Sequence, residues 1–191
     1  MKCDVILAGV GGQGVLSVAA VIAMAAVQEG LEVRQSEVHG MAQRGGAVLA
    51  HLRISDRPIA CDLVPKGGAD LILSMEPLEG LRYAQWLSPK PGALVSAAEP
   101  LVNIPDYPEV NAILAAIKSF PLYRIVEAAG LAKAAGLARS VNMVMVGASS
   151  AFLPIKAETL EETITKLFAG KDPSVAEANK KAFGLGRESA K

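Results

Sequence analysis

Lys2-Cys3-Asp4-Val5-Ile6-Leu7-Ala8-Gly9-Val10-Gly11-Gly12-Gln13-Gly14 runs from an apolar stretch directly into a glycine cluster, and the apolar segment Val15 to Glu29 follows at once. Cys3 to Ala8 has the unbroken apolar character of a parallel strand buried on both faces, and Val15 to Glu29 that of a buried helix with Gly30 as its left-handed terminator. Gly9, Gly11 and Gly14 stand at G-x-G-x-x-G spacing where strand must turn into helix. Glycine there permits a sharp turn, close helix-strand packing and a backbone that approaches a ligand without an intervening Cβ. The helix start then offers unbonded N–H groups to an anion. The same residues also serve a plain strand-to-helix turn, so Gly9, Gly11, Gly12, Gln13 and Gly14 read either as a ligand cradle or as a turn, with Gln13 either touching a ligand or capping.

Working outward, Leu31 to Gln35 predicts a short second strand. A nicotinamide-binding domain needs an acidic residue near that strand's end to hold ribose hydroxyls, and Glu37 is the one candidate. It lies in Ser36-Glu37-Val38-His39-Gly40-Met41-Ala42-Gln43-Arg44-Gly45-Gly46, a polar, glycine-studded stretch that reads as a loop, which weakens the dinucleotide reading. Ala47 to Ile54 and Ile59 to Val64, around the turn Ser55-Asp56-Arg57-Pro58, predict an antiparallel hairpin. Strands follow at Ala69 to Ser74, Ala93 to Ala97 and Leu122 to Val126. Helices are expected at Leu78 to Leu87 behind Pro77, at Glu109 to Ser119, at Ala128 to Ala135 and at Val141 to Phe152. The last of these is almost wholly apolar and must be buried within this chain or against a partner. Thr159-Leu160-Glu161-Glu162 has the form of a capping box, and Asp172-Pro173 that of a cap and first turn, for two surface helices, the second reaching about Phe183. The fold class is a three-layer α/β/α Rossmann-like sandwich, a mainly parallel sheet with one antiparallel hairpin, in a single domain spanning 1–191. Both glycine loops are expected to follow the C-terminal ends of neighbouring parallel strands and to meet at one sheet edge.

Nineteen Lys and Arg balance nineteen Asp and Glu with no run of one sign, which leaves no electrostatic footprint for nucleic acid or an acidic membrane. Val15 to Val27 is too short to span a bilayer, and Asp4 and the glycines break any signal-peptide layout, so the expected location is cytoplasmic. Cys3 and Cys61 are too few for an iron–sulfur cluster and have no zinc-type spacing, so no metal site is assigned.

The Gly9 to Gly14 and Ser36 to Gly46 segments together resemble the gamma-type subunit of 2-oxoacid:ferredoxin oxidoreductases. His39-Gly40-Met41 and Gln43-Arg44-Gly45-Gly46 are most similar to the small beta subunit of the indolepyruvate type. Ala69-Asp70 leading to Glu76-Pro77-Leu78-Glu79 and Arg82, and Asn142-Met143-Val144-Met145-Val146-Gly147, also fit the pattern, so the resemblance covers nearly the whole chain. It implies a subunit inactive alone. A larger partner would hold thiamine diphosphate, Mg and iron–sulfur clusters, coenzyme A would be co-substrate, and electrons would pass to ferredoxin. The reaction would be oxidative decarboxylation of an aryl 2-oxoacid to an acyl-CoA. The alternatives are the gamma subunit of an enzyme for pyruvate or another 2-oxoacid, or a stand-alone nucleotide-binding module.

Arg44 is a candidate for clamping a carboxylate or phosphate, because its planar fork gives two parallel charge-assisted bonds and Gly45-Gly46 lets an anion reach the backbone. The other reading is an ion pair with Glu37 or a partner chain. His39 is a candidate proton carrier or a loop-shaping hydrogen-bond former, and His51 reads as a strand residue. Glu76 follows a strand end, where it either faces the glycine loop or caps the Pro77 helix. Asn142 either anchors its helix or reaches the loop. The apolar first helix and Val141 to Phe152 also predict an apolar surface that self-associates without the partner.

Overall fold

The computed structural model describes residues 1–39, 45–90 and 92–190, and within these the side chain of His39 is not described. The order is β1 (Lys2–Val10), α1 (Val15–Gln28), β2 (Glu32–His39), β3 (Ala47–Ser55), β4 (Leu71–Ser74), α2 (Pro77–Arg82), β5 (Ala93–Ala97), α3 (Val110–Lys118), β6 (Tyr123–Val126), α4 (Ala128–Ala134), α5 (Val141–Ser149), α6 (Ala157–Phe168) and α7 (Pro173–Ser189), with short 3-10 turns at Ala84–Trp86, Ala138–Ser140 and Ser150–Phe152.

The six strands form one sheet in the order β2-β3-β1-β4-β5-β6. β1, β4, β5 and β6 are parallel, whereas β3 runs antiparallel to both β1 and β2. The two-residue period of β1 sends Cys3, Val5 and Leu7 into a core with α1, α4, α5, α6 and α7, and Ile6 into a second core with α2 and α3. This is the α/β/α sandwich of the sequence reading. The β1 to β2 connection runs one way from β1 and the β4 to β6 connections the other, placing a topological switch point between β1 and β4.

Several boundaries differ from the sequence reading. β2 runs on through Ser36, Glu37 and Val38 to His39, where a loop was expected, because each of those residues pairs with β3. The hairpin is therefore β2–β3. Ile59 to Val64 is not a returning strand: Arg53 Nη1 donates to the Cys61 and Leu63 carbonyls at 2.9 and 3.2 Å, and Val64 N–H donates to His51 Nδ1 at 3.1 Å, so side chains take the bonds a strand partner would supply. The expected Leu78 to Leu87 helix ends at Arg82 and continues as a 3-10 turn. β2 is not the neighbour of β1 either, since β3 lies between them.

At the tail, α6 starts at Ala157 without the Thr159 box; Glu29, just past α1, accepts the Lys156 N–H at 2.8 Å instead. Asp172 caps α7 through Ser174 N–H at 2.8 Å, as its sequence suggests. That helix runs past Phe183 to Ser189, burying Asn179, Ala182, Phe183 and Gly186 on one face and leaving the other exposed, as in a surface helix. It lies so close on α5 that a Cβ on Gly147 would collide with the Phe183 carbonyl, and one on Gly186 with the Val144 carbonyl. All seven residues from Met143 to Ser149 are buried, so the apolar α5 is covered within this chain. α1 has no charged residue and leaves Leu16, Met24 and Val27 exposed.

Candidate functional site: the glycine-loop cleft

At the C-terminal edge of the parallel strands, β1 opens into Gly9 to Gly14. A Cβ on Gly9 would lie 2.8 Å from Val15 Cγ2 and 3.0 Å from Met75 Cβ, so glycine is needed for the helix to follow the strand this closely. Gly12 and Gly14 have φ of 100° and 80°, the left-handed region that completes the turn. Gln13 folds back on the chain: its Oε1 accepts the Val10 N–H at 2.8 Å and its Nε2 donates to the Met75 carbonyl at 3.1 Å. It thus staples the loop to the end of β4, and both ends of its amide are committed to protein. No side chain caps α1, whose N-cap is Gly14 itself. Its first N–H groups have no intrahelical acceptor.

The second glycine loop meets the first. Gly11 N–H donates to the Gly46 carbonyl at 2.8 Å, and Gly45 N–H approaches the Gly11 carbonyl at 3.4 Å. The meeting arises because β3 begins at Ala47 directly opposite Val10, the last residue of β1. Arg44, with 40–43 and the side chain of His39, lies outside the described residues.

Asn142 lies one residue inside α5, beside Gly14 of the first glycine loop. Its Oδ1 accepts the Met143 N–H at 3.0 Å at the start of α5, and its Nδ2 would be 3.1 Å from a Cβ on Gly14. Glu76 is buried and caps α2, with Oε2 accepting the Glu79 N–H at 2.8 Å. Its Oε1 accepts from Leu101 N–H at 3.3 Å and from the Tyr107 hydroxyl. It stands behind the site, whereas Met75 beside it lines the site.

A cleft of about 480 Å³ opens between the first glycine loop and the ends of β4 and β5, lined among others by Gly12, Gln13, Glu99, Leu101, Ala129 and Arg139. Arg139 is its one cation among the described residues. Glu99 accepts the Ala129 N–H on Oε1 at 2.7 Å, while its Oε2 is buried without a partner. The cleft therefore offers the Arg139 guanidinium beside the first glycine loop, which leads into the uncapped start of α1. Arg139 and Glu99 were missed in the sequence. Glu99 was accessible to the rule that singled out Glu76, since it follows β5 as Glu76 follows β4. Arg139 had no such signal, because it sits in the turn between α4 and α5.

Among the described residues, no group of His, Cys, Asp and Glu has a metal-holding arrangement, and no helix is long and apolar enough to cross a membrane. Cys3 is buried and Cys61 exposed.

This architecture is shared. A solved 2-oxoglutarate:ferredoxin oxidoreductase from Magnetococcus marinus, with 2-oxoglutarate, coenzyme A and succinyl-CoA bound, superposes with a TM-score of 0.77 at 24% identity over 99% of this chain, which spans 31% of that one. Along the sequence, the indolepyruvate oxidoreductase subunit IorB of Archaeoglobus fulgidus is 34% identical over 100% of this chain and 96% of its own. The IorB of Pyrococcus horikoshii is 35% identical over 98% and 96%. These relatives are subunits of multi-subunit oxidoreductases. The pattern of the pyruvate ferredoxin/flavodoxin oxidoreductase family extends over residues 4–189, from the buried Asp4 of β1 to the last turn of α7, and the chain belongs to that family.

Proposed function

We propose that this chain is the gamma-type small subunit of an indolepyruvate:ferredoxin oxidoreductase, which converts aryl 2-oxoacids and coenzyme A to acyl-CoA and CO2 and passes electrons to ferredoxin. The observation that carries the reading is similarity to IorB subunits along essentially the full length of both chains. In this reading the protein works in the cytoplasm.

The chemistry of decarboxylation and electron transfer belongs to thiamine diphosphate, Mg and iron–sulfur clusters in a large partner subunit. The donor set of this chain does not fit a cluster, with one thiol buried against the Phe152 carbonyl and the other exposed. The exposed Leu16, Met24 and Val27 of α1 support assembly with that partner.

The contribution of this chain is to bind and orient coenzyme A at the glycine-loop cleft. Arg139 in the cleft lining suits a phosphate, and the uncapped start of α1 just beyond Gly12 and Gln13 favours an anion. Gly45 and Gly46, joined to Gly11, would extend the cradle, and Arg44 would clamp an anion there. His39 is the remaining candidate for proton handling.

Copurification from native lysate followed by steady-state assay tests the reading. The expected partner is a large, iron-rich, thiamine-containing chain, and the complex turns over indolepyruvate faster than pyruvate or 2-oxoglutarate. This chain alone should be colourless and inactive. Turnover by the purified chain alone, or a complex that prefers pyruvate, overturns the assignment.

A further inference from the structure

Residues 98–109, between β5 and α3, have no helix or strand and carry Pro100, Pro105 and Pro108. This segment is a strap across the sheet edge, and side chains fasten it. Glu99 Oε1 takes the Ala129 N–H, Asn103 Nδ2 donates to the Gly45 carbonyl at 2.9 Å, and Leu101 N–H and the Tyr107 hydroxyl both donate to Oε1 of Glu76. Two of these four attachments end on one oxygen of one carboxylate. The other oxygen of Glu76 caps α2, so a single side chain, 1% exposed, joins the end of β4, the start of α2 and the strap.

Glu76 has no place in the cleft lining, but Glu99, Pro100 and Leu101 do. The strap therefore carries a wall of the cleft on a part held from behind. Prolines fix φ and stiffen such a segment, so a shift at its anchors moves the wall instead of being absorbed along the chain. We infer that Glu76 is a positioning residue, which, through Leu101 and Tyr107, holds the strap where Glu99 and Leu101 complete the ligand cleft. This inference rests on the reading of the cleft as the coenzyme A site. Three donors, the Glu79 and Leu101 N–H groups and the Tyr107 hydroxyl, satisfy the buried side chain. Burial and the nearby Glu76 keep the Tyr107 phenol protonated far above neutrality, so its proton is always available to the latch.

The test uses the assembled complex with Tyr107→Phe, which removes one latch bond and keeps the ring, and Glu76→Gln, which keeps the shape but cannot accept at every site. Tyr107→Phe should raise the KM for coenzyme A about five- to tenfold with kcat within about twofold, the signature of lost uniform binding. Amide exchange at Leu101 should quicken about tenfold, while the melting temperature stays within a few degrees. Glu76→Gln should do the same or more. Arg139→Ala, in the cleft itself, separates this inference from the reading beneath it. If Arg139→Ala raises KM and Tyr107→Phe does not, the wall needs no latch and the inference is overturned. If neither variant moves KM, coenzyme A does not use this cleft, and the proposed role of the cleft falls; unchanged exchange at Leu101 would in that case overturn the latch as well.

Discussion

Asp4 and Arg53 face each other across the β1–β3 ladder, and the guanidinium grips the fully buried carboxylate at both oxygens, 2.7 Å from Nε to Oδ1 and 3.1 Å from Nη2 to Oδ2. Lys2 Nζ adds a third contact at 2.7 Å. Arg53 also carries the 61–63 backbone, so this pair decides both the register of β1 on β3 and the path of the irregular segment after it.

Removing Arg53 strands a buried charge, because the half-exposed Lys2 cannot replace a bidentate fork. Arg53→Met should cost about 3 kcal/mol or more in urea unfolding, and the double variant Asp4→Leu, Arg53→Met should recover much of that loss. A single variant as stable as the parent would show that the pair does not hold the register.

His51 sits on the same face of β3, 5% exposed, with Nδ1 accepting the Val64 N–H. Burial first, then the positive Arg53, pushes its pKa below the usual range. The unfolded chain consequently takes up a proton near pH 6.5 that the folded chain refuses until the pH is lower. The stability contributed by neutral His51 is complete above about pH 6.5 and declines as pH falls toward the depressed folded value, by at most about 1.4 kcal/mol per pH unit. His51→Gln keeps an acceptor for Val64 and does not titrate, so its unfolding free energy should lose this slope below about pH 6.5. Identical pH slopes in parent and variant would mean that His51 is already open to protonation in the native state.

The legibility of this sequence followed the redundancy of its signals. At β1 and α1, apolar pattern and glycine placement point to one geometry, and the strand-loop-helix unit is there as read. At the end of β2 they part: Ser36 and Glu37 look like a loop because an edge strand half open to solvent needs no apolar residues, and only its pairing with β3 reveals it. Ile59, Leu63 and Val64 look like a strand, but their backbone bonds go to Arg53 and His51, a tertiary arrangement that propensity does not encode. The site was half visible. Glycines announced the strand-to-helix turn, while Arg139 reaches the cleft beside it from a turn distant in sequence. The staple role of Gln13 depends on where the carbonyl of Met75 ends up.

α7 is the surface helix its sequence suggests, but its extent past Phe183 was missed because Gly184 and Gly186 dilute the pattern there, and Gly186 is what lets its inner face lie against α5. Gly186→Ala puts a methyl group into the Val144 backbone and should cost about 3 kcal/mol or more. Gly184→Ala, two residues earlier with open space around its Cβ, should instead stabilise by about 0.5–1 kcal/mol through helix propensity. Thermal melts of the two variants should shift in opposite directions, and a common direction would contradict the α5–α7 packing.

The two arginines of the proposed coenzyme A site are expected to differ in what they tolerate. Arg139 lines the cleft from an exposed turn, and no protein hydrogen bond or ion pair fixes its guanidinium in one plane among the described residues. If it attracts a phosphate chiefly by charge, Arg139→Lys should retain most of the affinity, whereas Arg139→Ala should raise the KM for coenzyme A about tenfold. Arg44 precedes two glycines in the loop that meets Gly11, a setting suited to a planar, bidentate grip on a carboxylate or phosphate. Arg44→Lys keeps the charge and loses the fork, so it should impair turnover nearly as much as Arg44→Ala, with both variants assembling and melting like the parent. His39→Ala should be milder if the ring only shapes the loop. Steady-state rates at varied oxoacid and coenzyme A, with a melting curve for each variant, distinguish these cases. Arg44 variants that turn over normally would confine anion recognition to the Arg139 cleft and leave the second loop a purely structural partner of the first.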